Sequence, residues 1–154
     1  MDSKINLDDL IEKLNMQPHE EGGLFAVTHY KDDSGNRPKS GSIYYYVYKD
    51  IVSAFHEIDC DEYWCYNAGS TAELWVITPD GKLEVIKVGI DDGAEPTVFV
   101  KKGSIFGARH EKGTQDGTLF TCVTVPRYLE GSSLKLFSKE EMILRFPQTK
   151  AFWE

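Results

Sequence analysis

Between residues 24 and 125 one short strand-like segment follows another, and no helical pattern comes between them. LFAVTHY, SIYYYVY, AELWVIT, KLEVIKV, TVFV and TLFTCVTV are rich in β-branched and aromatic residues and often alternate apolar with polar. Turn signals separate them: Asp33-Ser34-Gly35-Asn36, Pro79-Asp80-Gly81, Asp91-Asp92-Gly93, Lys102-Gly103 and Asp116-Gly117. Pro79-Asp80-Gly81 between two alternating runs predicts a hairpin. Evenly spaced strands without crossover helices exclude a parallel sheet and leave a sandwich or barrel.

Helices are expected only at the ends. Leu7, Leu10, Ile11 and Leu14 follow the i, i+3, i+4, i+7 pattern, with Asn6 as cap and Asp8 and Asp9 at the positive end of the dipole. Ser138 and Glu141 form a capping box before Met142, Ile143 and Leu144, so a second helix should run to about Phe146 and stop at Pro147. At 154 residues the chain is expected to form one domain with a core that needs no staples.

Charge and composition narrow the function. With 17 basic and 25 acidic residues the net charge is -8, and no Lys/Arg stripe interrupts it, so nucleic acid is not an expected partner. No apolar run approaches the roughly 20 residues of a membrane span. MDSKINLDDL carries acidic residues where a signal peptide has a basic end and an apolar stretch, so the expected compartment is the cytoplasm. Cys60, Cys65 and Cys122 form no C-x-x-C pair and read as free thiols.

Chemistry concentrates in residues 53–69, SAFHEIDCDEYWCYNAG. His56 titrates near neutrality and suits acid/base work. Glu62 lies in an aromatic run where an unpaired carboxylate is costly, so it should face a polar cavity or pair with His56. Alternation places Glu62, Trp64 and Tyr66 on one face and Cys65 on the other. Tyr66 could give a proton to a developing oxyanion, or simply pack in the core. Arg109 and His110 end a strand and are expected at the surface.

Six segments, in order, resemble the cupin-5 (DUF985) family of the cupin superfamily: LIEKLNMQPHEEGGLF, SAFHEIDCDEYWCYNAG, TPDGKLEVIKVGID, FVKKGSIFGA, FTCVTVPRY and LFSKEEMILRFP. The resemblance spans about residues 7 to 147. It implies an all-β fold, a cupin-like double-stranded β-helix or jelly roll, and a homodimer. It also assigns Glu21 to the acidic position of the opening motif.

Cupins generally place two histidines and a glutamate in the first motif and one more histidine in the second. His56 and Glu62 match two of these positions. Ile58 and Phe106 stand where the other histidines would fall, and Cys65 follows Trp64 where a histidine is common in the narrower family. The ligand set is therefore partial: His56 and Glu62 as ligands, with at most one divalent transition metal. The pocket is expected to be lined by Phe55, His56, Glu62, Trp64 and Tyr66, with Glu21, Trp75 and Phe120 as further ligand-binding candidates.

Three functions stay open on the sequence. One is an isomerase or epimerase of a sugar, nucleotide sugar or other carbonyl compound, with His56 as base and Tyr66 as acid. The second is a non-catalytic binding or sensing module. The third is a metal-dependent lyase or dioxygenase.

Overall fold

The computed structural model describes residues 6–29, 35–114 and 116–154; Asp33 and Ser34 of the first expected turn, and Tyr30 at the end of the first expected strand, lie outside them. The order is α1 (Leu7–Lys13), β1 (Gln17–Pro18), β2 (Leu24–His29), β3 (Gly41–Val47), β4 (Ser53–Ile58), β5 (Asp61–Gly69), β6 (Ala72–Ile77), β7 (Leu83–Val88), β8 (Thr97–Val100), β9 (Ile105–His110), β10 (Thr118–Val125), β11 (Leu134–Leu136), α2 (Lys139–Arg145) and a closing 3-10 helix (Pro147–Trp153). The strands build two antiparallel sheets, ordered β1-β2-β3-β10-β5-β8 and β11-β4-β9-β6-β7. This is the expected all-β jelly roll.

Local chemistry accounts for the ends of the elements. Asn6 caps α1 through its side chain, which accepts from the Asp8 N–H, and the Ser138 hydroxyl accepts from the Glu141 N–H at 3.1 Å. Thr78 to Lys82 close the β6–β7 hairpin around Pro79-Asp80-Gly81.

Three apolar clusters hold the molecule together. The central one lies between the sheets and contains Tyr45, Trp64, Leu74, Phe106 and Phe120. The second lies outside the five-stranded sheet, where Phe55, Trp75 and Ile105 are covered by Phe137, Met142 and Phe152 from the C-terminal segment. The third packs the apolar stripe of α1 over Tyr46 and Leu119.

One loop decides where the site forms. Between β1 and β2 the chain turns through Gly22 (φ +97°) and Gly23 (φ +73°), a left-handed region that side chains other than glycine's seldom adopt. A Cβ on Gly22 would lie 2.1 Å from the Val52 carbonyl oxygen. The turn lets the Ala54 N–H donate to the Glu21 carbonyl at 2.7 Å, which docks the loop on β4. Gly22→Ala is therefore expected to cost at least about 2 kcal/mol and to displace Glu21, read as a lower denaturant midpoint with an unchanged slope.

Candidate functional site

A pocket opens between the sheets, its lining drawn from both. Glu21 and His19 come from the β1–β2 loop, Phe25 and Val27 from β2, Ile43 from β3, His56 and Ile58 from β4, Glu62 from β5, Cys122 and Thr124 from β10, and Arg127, Tyr128 and Glu130 from the following loop. Its cavity volume is about 50 Å³.

At its floor His56 is held at both ring nitrogens. Nδ1 lies 2.6 Å from the Ala54 carbonyl oxygen and Nε2 lies 2.6 Å from Glu21 Oε2. A carbonyl and a carboxylate only accept, so each nitrogen carries a hydrogen and the ring is an imidazolium. Burial opposes the His56 charge, but attraction to Glu21 and the hydrogen bonds to Glu21 and Ala54 outweigh it and raise the pKa above the usual histidine value. Burial likewise opposes the Glu21 charge; His56, with a smaller contribution from His19, holds its pKa below the usual carboxylate value.

Glu62 has the opposite character. It is 7% exposed, and its pKa rises to about 8, first because burial removes water and then because Glu21 repels a second negative charge. His56 and the Trp64 indole relieve this in part. The Trp64 N–H lies close enough to be felt but makes no hydrogen bond of ordinary geometry among the described residues. At pH 7 Glu62 is thus mostly a neutral acid beside a buried ion pair.

A patch of aromatic rings forms one wall. The His19 ring centroid lies 4.8 Å from that of Phe25 and 5.7 Å from that of Tyr128, and His19 Nδ1 accepts from the Glu21 N–H at 3.2 Å. The Tyr128 hydroxyl is buried with no hydrogen-bond partner among the described residues. Burial, and then Glu21, push its pKa upward.

The structure brings together three of the residues singled out from sequence, Glu21, His56 and Glu62, and places the others elsewhere. Trp64 and Phe120 sit in the central cluster, ring centroids 5.0 Å apart. Phe55 and Trp75 face out of the five-stranded sheet, under the C-terminal helices. Tyr66 does share the inner face with Glu62 and Trp64, in unbroken register with β10, but it lies four residues, roughly 13 Å, further along the strand, and its hydroxyl donates to the Gly69 carbonyl at 2.6 Å. It does not line the pocket. Cys65 falls on the face away from Glu62, as alternation requires.

Arg109 departs from the expected surface position. It is 9% exposed, pairs with Glu73 across the β6–β9 ladder at 2.8 Å and donates to the Phe152 carbonyl, also at 2.8 Å. It secures the C-terminal segment and is not among the residues that line the pocket described above. Sequence reasoning passed over His19 and Tyr128, although both stand inside the motifs quoted above.

The family model described as cupin superfamily (DUF985) matches residues 8–132. The chain belongs to this family. A crystallographically solved protein of Shewanella oneidensis is 31% identical, with a TM-score of 0.85 over 96% of this chain and 94% of its own. A hypothetical protein of Leishmania major is 24% identical, with a TM-score of 0.81 over 95% of each chain. More distant cupin-fold structures include oxalate decarboxylase of Bacillus subtilis, 13% identical with a TM-score of 0.58 over 84% of this chain and 34% of that one. The polyketide cyclase RemF of Streptomyces resistomycificus is 14% identical, with a TM-score of 0.57 over 98% of each chain. These distant likenesses show the fold alone. No curated protein matches the chain.

Cupin sites commonly hold a metal, and such an ion needs three or four convergent ligands. Among the described residues no group of three or more His, Cys, Asp or Glu side chains is arranged to hold one. Both His56 nitrogens are engaged, and the Phe106 ring lies 4.2 Å from the His56 ring. The donor set does not fit a metal, and no step below is routed through one.

Proposed function

We propose that the pocket binds a small carbonyl compound and exchanges a proton with it at Glu62, an isomerase-type reaction. The observation that carries this reading is the buried Glu21–His56 ion pair at 2.6 Å with Glu62 beside it in the same apolar pocket. The pair supplies a charge balance of its own, so Glu62 is left with a pKa near the working pH, where a proton-transfer group is most effective.

The roles differ from those expected of the sequence. His56 has no nitrogen free to take a proton and acts as a positioning cation. Glu62, as carboxylate, removes the proton next to the carbonyl; the C–H electron pair moves to the carbonyl oxygen, and the resulting enolate takes its hydrogen bond from the Tyr128 hydroxyl. In a hydroxy-carbonyl substrate the hydroxyl proton of the deprotonated carbon passes to the former carbonyl oxygen; Glu62 then returns its proton to the former carbonyl carbon, the C=C electron pair forming that C–H bond as the other oxygen becomes the carbonyl. Tyr128, in place of Tyr66, is the donor because its buried hydroxyl has no other partner among the described residues.

We also propose that the protein works as a homodimer in the cytoplasm. Among the described residues no helix is long and apolar enough to cross a membrane.

The test is hydrogen exchange in D₂O, followed by NMR, across a panel of small hydroxy-carbonyl compounds including free sugars. Exchange at the carbon beside the carbonyl that falls at least about 100-fold in Glu62→Gln supports the reading. Exchange that survives the substitution contradicts it. The binding-module reading is favoured by the closed His56–Glu21 pair; it gives ligand stabilisation of about 2.7 kcal/mol at 100 times Kd with no exchange.

A further inference from the structure

We propose that the ligand of this pocket presents a protonated amine, seated between the Glu62 carboxylate and the aromatic wall of His19, Phe25 and Tyr128. The proposal rests on the reading that this pocket is the ligand site and adds its ligand class.

Three features converge on a small organic cation. The first is the balance of charge. Glu21 and His56 cancel each other, and Arg127 and Glu130 line the same cavity. Glu62 is left as a carboxyl that repulsion and burial keep from ionising. An anion placed here would meet Glu21 and make that repulsion worse; a cation would relieve it. The second is the wall itself: the rings of His19, Phe25 and Tyr128 cluster in the lining of the same cavity as the Glu62 carboxyl, and aromatic rings attract ammonium groups. The third is the Tyr128 hydroxyl, an unpartnered acceptor for an ammonium N–H.

Binding would exchange one positive charge for another. As the ammonium enters, Glu62 releases its proton to solvent and becomes the carboxylate, so the net charge of the site is conserved. The same event makes the base that proton abstraction requires, which narrows the substrate class to small amino-carbonyl compounds. Besides Glu21, His56 and His19, the titratable or charged groups around Glu62 are Tyr45 on β3, Cys60 in the β4–β5 turn, Cys122 on β10 and Arg127, Tyr128 and Glu130 in the following loop.

The experiment is calorimetric titration at pH 7 with three probes of matched shape: benzylamine, benzyl alcohol and benzoate. Benzylamine should bind saturably and at least tenfold more tightly than benzyl alcohol, with no detectable benzoate binding. Its heat should change with the ionisation enthalpy of the buffer, the sign of proton release. Its Kd should fall by up to tenfold per pH unit from 6 towards 8. Glu62→Gln should weaken benzylamine at least tenfold, and Phe25→Leu several-fold, in proteins whose cooperative melting shows them folded. Benzylamine binding that is unchanged in Glu62→Gln, or benzoate binding as tight as benzylamine, overturns the proposal. Benzyl alcohol or benzoate binding that Glu62→Gln alters would keep the pocket as the ligand site while removing the cation. No binding of any probe overturns both.

Discussion

Glu62→Gln is expected to make the protein more stable at pH 7, by about 3 kcal/mol, while removing proton exchange. A carboxyl whose folded pKa of about 8 stands above the ordinary 4.5 favours its protonated form in the native state. Below pH 4.5 both folded and unfolded chains carry the proton, and the substitution should change little. As pH rises from 4.5 towards 8 the unfolded chain ionises and the folded one resists, so wild-type stability falls by about 1.4 kcal/mol per unit. A neutral glutamine has no such slope. The gain should therefore be absent near pH 4, grow through neutrality and level off above pH 8. Chemical denaturation of both proteins at pH 4, 7 and 9 measures it; a destabilised Glu62→Gln at pH 7 would show that Glu62 is a paired carboxylate.

Glu21→Gln should have the opposite effect, a loss of about 3 kcal/mol, because it leaves a buried cation without its partner. His56 is 1% exposed, and its Nε2 has Glu21 as counter-charge. The pH dependence follows from the two shifts. Glu21, with its pKa lowered, stabilises the fold above 4.5 and loses this as pH falls through its folded value. His56, with its pKa raised, stabilises below 6.5 and loses this as pH rises through its folded value. Both contributions are complete between about pH 4.5 and 6.5, so the difference from Glu21→Gln should be largest there. Equal stability of the two proteins at pH 5.5 would mean that the pair is not formed.

Much of the fold was legible because its signals are local. Asn6 and Ser138 cap helices by hydrogen bonds two and three residues away, and Pro79-Asp80-Gly81 closes its hairpin from within. His56 and Glu62 could be singled out because ionisable side chains in apolar runs need partners, whereas Glu21 was marked only by the resemblance to the family's opening motif. What escaped depends on register or on distant cover. Phe55 alternates with His56 and so must face away from the pocket, yet it stays buried because residues 147–153 fold over it, a cover that no strand pattern announces. Tyr66 shares parity with Glu62, but it stands two pleats further along β5, and its hydroxyl is taken by the Gly69 carbonyl. Arg109 is buried because Glu73 stands directly across the ladder, a pairing visible only once the register is known. His19 and Tyr128 enter the pocket from loops whose course is set by the strands they join.

The account rests on Glu62 being a neutral acid beside a buried ion pair, and carbon-13 NMR of the Glu62 carboxyl, assigned by comparison with Glu62→Gln, tests that most directly. Titrated from pH 5 to 10, its chemical shift should turn at about pH 8, with both His56 ring nitrogens still protonated at pH 7. A Glu62 midpoint in the ordinary carboxylate range, near 4.5, would contradict the account.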